Sequence, residues 1–493
     1  MERSSAVLMP MSSLPSDYGI GTMGKSAYKF VDFLKAAGQK YWQLLPLGPT
    51  SYGDSPYSSF STFAGNPYYI DLDMLIKDGL LKSGEVTGID WGSDPERVDY
   101  GKIYDSRFKV LRLAFKRGAK KFAAELEEFR AENAGWLPEY ALFMALKARF
   151  GMKSWIEWED ENIRMHKAEA VEKYRALLRE DVDFYTFTQF LFFRQWEALR
   201  DYAHKKGIGF IGDIPIYVAL DSADVWSEPR FFQLDEDNVP IEVAGVPPDA
   251  FTEDGQLWGN PIYDWDAMRA DGYGWWIRRI DGAKKLYDII RIDHFRGFES
   301  YWAVPGGEKT AKNGVWKKGP GMGLVSVLTS WFGDMRYIAE DLGYITPEVH
   351  RLLTDSGLPG MKVLEFAFDA HGDSDYLPHR CGQNSVCYLG THDNDTVLGW
   401  LKTLSRGDRS FAKSYMHITQ DEGWVWGLIR TGMATASELF VVQMQDLLEL
   451  PARCRMNTPG TASGNWQWRM LPEAADKELA KKLRRYTHTY RRL

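Results

Sequence analysis

Short apolar runs separated by amphipathic stretches set the first expectation. Runs ending in polar or charged residues recur at 40–47 (KYWQLLPL), 68–72 (YYIDL), 208–218 (IGFIGDIPIYV), 285–293 (KLYDIIRID), 335–343 (MRYIAEDLG), 361–369 (MKVLEFAFD), 385–395 (SVCYLGTHDND) and 438–448 (ELFVVQMQDLL). Between several of them lie stretches of helical period, such as SAYKFVDFLKAAG (26–38) and PEVHRLLTDSG (347–357). Eight candidate strands with helical crossovers predict an α/β fold, a (β/α)8 TIM barrel. A doubly wound sheet is the rival, and its nucleotide-binding form is disfavoured because no GxGxxG turn follows an early strand.

The spacing between the strands is uneven. From about 80 to 205 the pattern is helical almost throughout, which predicts an all-helical insertion (80–205) between the second and third strands. From 219 to 270 the text turns irregular, with AGVPPDAFTEDGQLWGNPIYDWD carrying Pro, Gly, Trp and acids. A loop of that length in a compact fold is usually functional, and 219–270 is expected to form a lid over the site. The residues after 448 leave no room for a C-terminal β-sandwich domain, so a single catalytic barrel over 1–493 is expected.

One strand candidate raises a question of its own. The run LYDII leads into RIDHFRGF (291–298), which sets two arginines, an aspartate and a histidine where the sequence has just been hydrophobic. Charges there are unfavourable unless each is paired or functional.

Composition narrows the functions. The net charge is −8, and the 60 Lys and Arg residues form no long basic block, which argues against nucleic-acid binding. Three cysteines match neither a disulfide framework nor a zinc spacing, so buried thiols in a reducing compartment are expected. The N-terminus lacks a charged-then-apolar signal pattern, and no apolar run approaches the ~20 residues that span a bilayer. A soluble cytoplasmic protein with no membrane association is the expectation. The 19 Trp, 25 Tyr and 26 Phe hint at carbohydrate binding, since flat rings stack on the apolar faces of sugars.

Barrel enzymes place their chemistry at the C-terminal ends of the strands. Those ends supply Asp213 in GDIPIYV, Asp293 in RIDHF, Glu340 in IAEDLG and Asp393 in THDND. Two carboxylates flanking a bond are the minimum for glycoside chemistry, one to attack or activate and one to donate a proton. Asp293 would be the attacking group. Arg291, two residues earlier and on the same strand face, would hold it ionised. His294 and His392 would hydrogen-bond substrate hydroxyls. Taken singly, such an aspartate is more often a helix cap or an ion-pair partner. Four in succession on four strand ends favour a site.

In these motifs the sequence resembles the α-amylase superfamily, with GDIPIYV, RIDHFRGF, IAEDLG and GTHDNDT in the order of that group's four short signatures. More closely it resembles the 4-α-glucanotransferases called amylomaltases or disproportionating enzymes. The support extends to SSLPSDYGIGTMG, YWQLLPLGPTSYGDSPYSSFSTFAGNPYYIDL, GVPPDAFTEDGQLWGNPIYDW and MNTPGTASGNWQWR, and so covers essentially the whole chain. The resemblance implies a retaining double displacement: Asp293 as nucleophile, Glu340 as acid and then base with a raised pKa, and Asp393 as transition-state stabiliser. It implies substrate contacts at Ser55, Tyr57, Asp213, Trp258, Arg291, His294, His392 and Asn465. It implies maltooligosaccharides and α-1,4-glucans as donor and acceptor, with neither cofactor nor metal. An α-glucan hydrolase of the same superfamily is the alternative, because water and a sugar hydroxyl attack the same intermediate. A non-catalytic glucan-binding scaffold is the third reading, and it would be expected to have lost one of the three acids.

Overall fold

The computed structural model describes residues 2–51, 53–248 and 252–493. Tyr52 and the lid residues 249–251 lie outside the described residues. Among the described residues twelve strands form two sheets. They are β1 (Ser4–Leu8), β2 (Tyr41–Gln43), β3 (Gly209–Pro215), β4 (Glu242–Val246), β5 (Gln256–Pro261), β6 (Ile289–Asp293), β7 (Ser300–Pro305), β8 (Val315–Lys318), β9 (Arg336–Ala339), β10 (Gly360–Val363), β11 (Ser385–Tyr388) and β12 (Leu439–Gln443).

The larger sheet is all parallel, in the order β10, β11, β12, β1, β2, β3, β6, β9. The Ala339 N–H donates to the Pro359 carbonyl at 2.9 Å, which brings β9 against the start of β10 and nearly closes the barrel. Side chains alternate across each strand. Ala6, Leu8, Ile211, Ile289, Ile338, Met361, Val363, Val386, Tyr388, Leu439 and Val441 fill the barrel interior. Their neighbours Val7, Phe210, Ile290, Ile292, Cys387 and Phe440 face the helices outside.

The expected barrel is present, with one strand exchanged. The run YYIDL (68–72) is not a strand. Pro67–Tyr69 is a 3-10 turn whose Asn66 side chain accepts from the Tyr68 N–H, and Asp71 caps the helix Leu72–Lys77 by accepting from the Met74 N–H. Asn-Pro and a capping Asp override the β-forming tyrosines. The missing strand is β1, five buried residues (SSAVL) that pair with β12 on one side and β2 on the other.

Between β2 and β3 the chain is helical over Tyr100–Lys121, Ala123–Glu132, Leu137–Arg149, Ala168–Leu177 and Arg179–Lys205. The last of these buries an aromatic stripe, Phe184, Phe187, Phe190 and Phe193, against Phe115, Phe122 and Phe129. The 219–270 stretch is more ordered than its text suggests. Its strands β4 and β5 join β7 and β8 in an antiparallel sheet ordered β5, β4, β7, β8. The pairing of β4 with β7 bridges distant sequence, and Gly and Pro interrupt the alternation, so local pattern does not reveal it.

Among the described residues no helix is long and apolar enough to cross a membrane, and no group of three or more His, Cys, Asp or Glu is placed to hold a metal ion. Cys381, Cys387 and Cys454 are free and buried.

Candidate active site

The register between β3 and β6 answers the question raised by RIDHF. Ile289 faces the barrel interior, so Arg291 and Asp293 do too, and Asp213 lies directly opposite Arg291 on β3. Arg291 Nη1 donates to Asp213 Oδ1 and Oδ2 at 2.7 and 2.6 Å, and to Asp293 Oδ1 at 2.8 Å. Both arginine and Asp213 are buried, and each charge has its partner, as an interior ion pair requires. Burial opposes the charge on Arg291, but the two carboxylates outweigh it and keep the guanidinium firmly protonated.

Asp213 is placed differently from a substrate contact. Its side chain is 0% exposed and is fully engaged by Arg291 and by the Tyr57 hydroxyl, which donates to Oδ2 at 2.8 Å. It lies beneath the cleft and holds Arg291, which in turn holds Asp293. The Asp293 side chain remains 29% exposed and lines the cleft above.

Glu340 follows β9, on the strand next to β6, and is held from its backbone side. His294 N–H donates to Oε2 at 2.6 Å and Leu342 N–H to Oε1 at 2.7 Å. His294 adopts a left-handed backbone (φ 53, ψ 46), which a non-glycine residue adopts at a cost of about 1–2 kcal/mol. That turn brings the amide immediately after Asp293 onto the Glu340 carboxyl. The two acids are thereby fixed to each other through one peptide unit. Neighbouring Asp341 points elsewhere, accepting from the Met361 N–H at 2.6 Å.

The electrostatics separate the two acids. Burial, then the negative charge of Asp293, push Glu340 up to about 8 against the opposing pull of Arg291 and the two amides. Burial also raises Asp293, to about 6, so Arg291 offsets desolvation without overcoming it. These values belong to the pair as a unit. Between them the predominant state has Asp293 ionised and Glu340 protonated, the division of labour that an attacking group and a proton donor need. A bell-shaped dependence of kcat/KM on pH is therefore expected. Activity falls below about pH 6 as Asp293 gains a proton and falls above about pH 8 as Glu340 loses one. Initial rates across pH check this. An acidic limb near the ordinary carboxylate range, ~4, would contradict the burial argument.

Asp393 stands on the loop after β11. Asn457 Nδ2 donates to its Oδ1 at 2.6 Å, and His392 Nε2 lies 3.4 Å from the same oxygen. Its carbonyl accepts from Arg455, and the Asn457 N–H donates to the His392 carbonyl at 3.2 Å. His392 is nearly buried and stacks on Tyr57, with ring centroids 5.0 Å apart and planes 15° apart. Burial, with a smaller contribution from Arg296, lowers His294 to about 3, so its imidazole is neutral, and its ring meets the Trp258 ring edge to face at 4.8 Å.

A cleft of about 580 Å³ is lined by Ser55, Tyr57, Trp258, Asp293, His392, Asp393 and Asn465, while Glu340, 8% exposed, does not lie on its lining. A larger cavity of about 980 Å³ adjoins it under the helical insertion and shares Gly53, Asp221, Ala462 and Asn465, but none of the three acids opens into it. Trp258, on β5, exposes 37% of its surface to the cleft. Ser55 Oγ is 3.2 Å from the Tyr57 N–H that donates to it. Asn465 is used within its own loop, accepting from the Thr458 N–H and donating to the Thr461 carbonyl and hydroxyl, each at 3.0 Å.

Two contributors escaped the sequence reading. Asn457 and Arg455 anchor the Asp393 loop, and both stand in or beside the quoted MNTPGTASGNWQWR stretch, from which Asn465 alone had been singled out. The backbone role of His294 has no sequence signal beyond the close succession of Asp293 and His294.

Comparison with known proteins follows the same lines. A family model described as 4-alpha-glucanotransferase matches residues 9–474. The chain is 50% identical to a 4-alpha-glucanotransferase of Clostridium butyricum over 98% of this chain and 100% of that one. It is 46% identical to the 4-alpha-glucanotransferase of Thermus thermophilus over the full length of both. Among solved structures, the amylomaltase of Streptococcus agalactiae in complex with acarbose superimposes with a TM-score of 0.98 at 45% identity, covering 100% of each chain.

Proposed function

The chain belongs to the 4-alpha-glucanotransferase family, and from that premise we infer how its barrel mouth carries out transfer. It is a glucan-transferring enzyme acting on α-glucans. Its donors and acceptors are maltooligosaccharides and longer α-1,4-glucans, and the anomeric configuration is retained through two displacements.

In the first displacement an ionised Asp293 oxygen attacks the anomeric carbon. The bond from that carbon to the glycosidic oxygen breaks, and the proton of Glu340 passes to the departing 4-oxygen. A glucosyl ester on Asp293 results. In the second, the 4-hydroxyl of an acceptor attacks the same carbon, gives its proton to the Glu340 carboxylate and frees Asp293. Asp393, half-exposed in the cleft, accepts ring hydroxyls and faces the positive charge that builds on the sugar. Arg291 keeps Asp293 ionised and aimed, and Asp213 keeps Arg291 in place.

The observation that carries this reading is the pair Asp293 and Glu340 on adjacent strands, joined by the His294 amide and divided into an ionised and a protonated member. The acarbose bound by the Streptococcus agalactiae amylomaltase, a structure that superimposes over the whole chain, is consistent with an oligosaccharide in this cleft. Incubation with maltotriose, without phosphate or metal, tests the reading. A ladder of longer maltooligosaccharides beside glucose at a constant count of reducing ends is expected. Products no longer than the substrate, with reducing ends rising, would make the chain a hydrolase.

Partition between transfer and hydrolysis depends on how firmly the acceptor is held and how well water is kept from the ester. Trp258 is the exposed ring best placed to hold a sugar beside His294. Stacking of this kind contributes about 0.5–1.5 kcal/mol, so Trp258→Ala is expected to raise the ratio of hydrolysis to transfer roughly 2- to 10-fold. An unchanged ratio in the same chromatographic assay would remove Trp258 from the explanation.

A further inference from the structure

We propose that Glu365, a buried carboxyl hydrogen-bonded to the Asn394 side chain beneath the loop 391–395, is a positioning residue for Asp393. The inference rests on Asp393 acting in the cleft as described above.

Glu365 is the middle residue of the 3-10 turn Leu364–Phe366 that follows β10, with its N–H donating to the Leu389 carbonyl at 3.1 Å and its carbonyl accepting from Trp400 Nε1 at 3.0 Å. Asp446 follows β12, and its Oδ1 accepts from the Val397 N–H at 2.8 Å. Glu365 is 8% exposed and Asp446 is 1% exposed. Glu365 Oε1 and Asp446 Oδ2 are each without a hydrogen-bond partner among the described residues. Two buried carboxylates with one open oxygen apiece are unstable if both are ionised. A proton on Glu365 removes one of the two charges and relieves that repulsion.

The surroundings favour that arrangement. The Asn394 side chain hydrogen-bonds to Glu365, Asp446 and Asp395 set negative charge against it, and Arg455 is the cation that acts on it. Arg455 is already committed, bonding to the Asp393 carbonyl and donating from Nε to the Asn457 carbonyl at 2.6 Å. Burial, then the charges of Asp446 and Asp395, push Glu365 well above its ordinary range, and burial raises Asp446 to about 7. The position leaves no slack, since a Cβ at Gly390 would stand 2.9 Å from Glu365 Oε1. Through the Asn394 side chain and the Leu389 carbonyl, Glu365 thus ties the end of β10 to the loop from β11 that carries His392 and Asp393.

The sign of the pH dependence separates this from an ordinary ion pair with Arg455. A carboxyl that is protonated in the fold and ionised when unfolded binds a proton on folding. Wild-type stability then falls with rising pH relative to a variant that does not titrate there. Thermal unfolding of the full chain is compared for wild type and Glu365→Gln from about pH 5 to about pH 9. The variant is expected to gain on wild type steadily as pH rises. A difference that stays flat, or turns against the variant at high pH, would overturn the neutral Glu365. Should Glu365→Gln fail to fold, Asp446→Asn removes the same repulsion and is expected to show the same trend.

Kinetics on maltotriose test the positioning. Glu365→Gln, which still donates, is expected to keep kcat near wild type at about pH 7, between the two limbs of the pH profile. Glu365→Leu is expected to lose roughly 10- to 100-fold in kcat with KM little changed, because Asp393 is displaced. An unaltered kcat in Glu365→Leu would overturn the positioning role. Full activity in Asp393→Asn would instead overturn the reading of Asp393 and leave the unfolding result standing.

Discussion

Asp293→Asn is expected to abolish turnover while leaving glucan binding intact. The substitution keeps shape and removes the attacking oxygen, and loss of a covalent nucleophile in enzymes of this type of logic reaches on the order of 10⁴ to 10⁶ in kcat. Binding survives because Asp293 is one of several groups lining the cleft, and Trp258, Tyr57 and Asp393 remain. The change also alters the ion pair below it. Arg291 keeps both bonds to Asp213, so the guanidinium stays compensated and the fold is expected to hold. Maltotriose turnover and equilibrium binding of a maltooligosaccharide, measured on one preparation, separate the two effects. Activity near that of wild type would mean that another carboxylate attacks.

Glu340→Gln is expected to lower kcat by about 10²- to 10⁴-fold, the usual contribution of a general acid. The loss depends on the leaving group. A glucosyl fluoride departs without a proton, so the variant is expected to form the glucosyl ester from that donor far better than from maltotriose. The acceptor's 4-hydroxyl then lacks a base, and the ester persists. The alkaline limb of the pH profile is also expected to vanish, because it reflects deprotonation of Glu340. Equal losses on the fluoride and on maltotriose would point to a role in holding the His294 turn rather than in moving a proton.

Both expectations grow from features unequally visible in the sequence. The barrel was legible because its strands are short apolar runs that end in polar residues, and because Ile289, Arg291 and Asp293 share a face by simple alternation. One strand was misplaced. The tyrosines of YYIDL satisfy β-propensity, while Asn66, Pro67 and Asp71 make a turn and a helix cap. The five residues of β1 sit so close to the N-terminus that no flanking pattern marks them. The second sheet was invisible because β4 pairs with β7 across distant sequence.

At the site, residue types were legible and their layers were not. Alternation placed Asp213 and Asp293 in the same barrel, but only the register shows Asp213 closed off behind Arg291. Asn465 looked like a group for sugar, and its side chain is occupied within its own loop. The positive φ of His294, which delivers an amide to Glu340, follows from tertiary constraint at the junction of β6 and β9. Burial raises Asp293 despite Arg291, which the sequence did not suggest, and it raises Glu340, as expected, with the help of Asp293 itself.

Trapping tests the covalent role of Asp293 most directly. The Glu340→Gln variant is incubated with a maltooligosaccharyl fluoride in the absence of acceptor, digested, and its peptides are weighed and sequenced by mass spectrometry. An oligosaccharide esterified to Asp293 is the predicted result, chased to the oligosaccharyl azide of the same length when azide, a nucleophile with no proton to lose, is added. An adduct on a different carboxylate, or a product of inverted anomeric configuration, would contradict it.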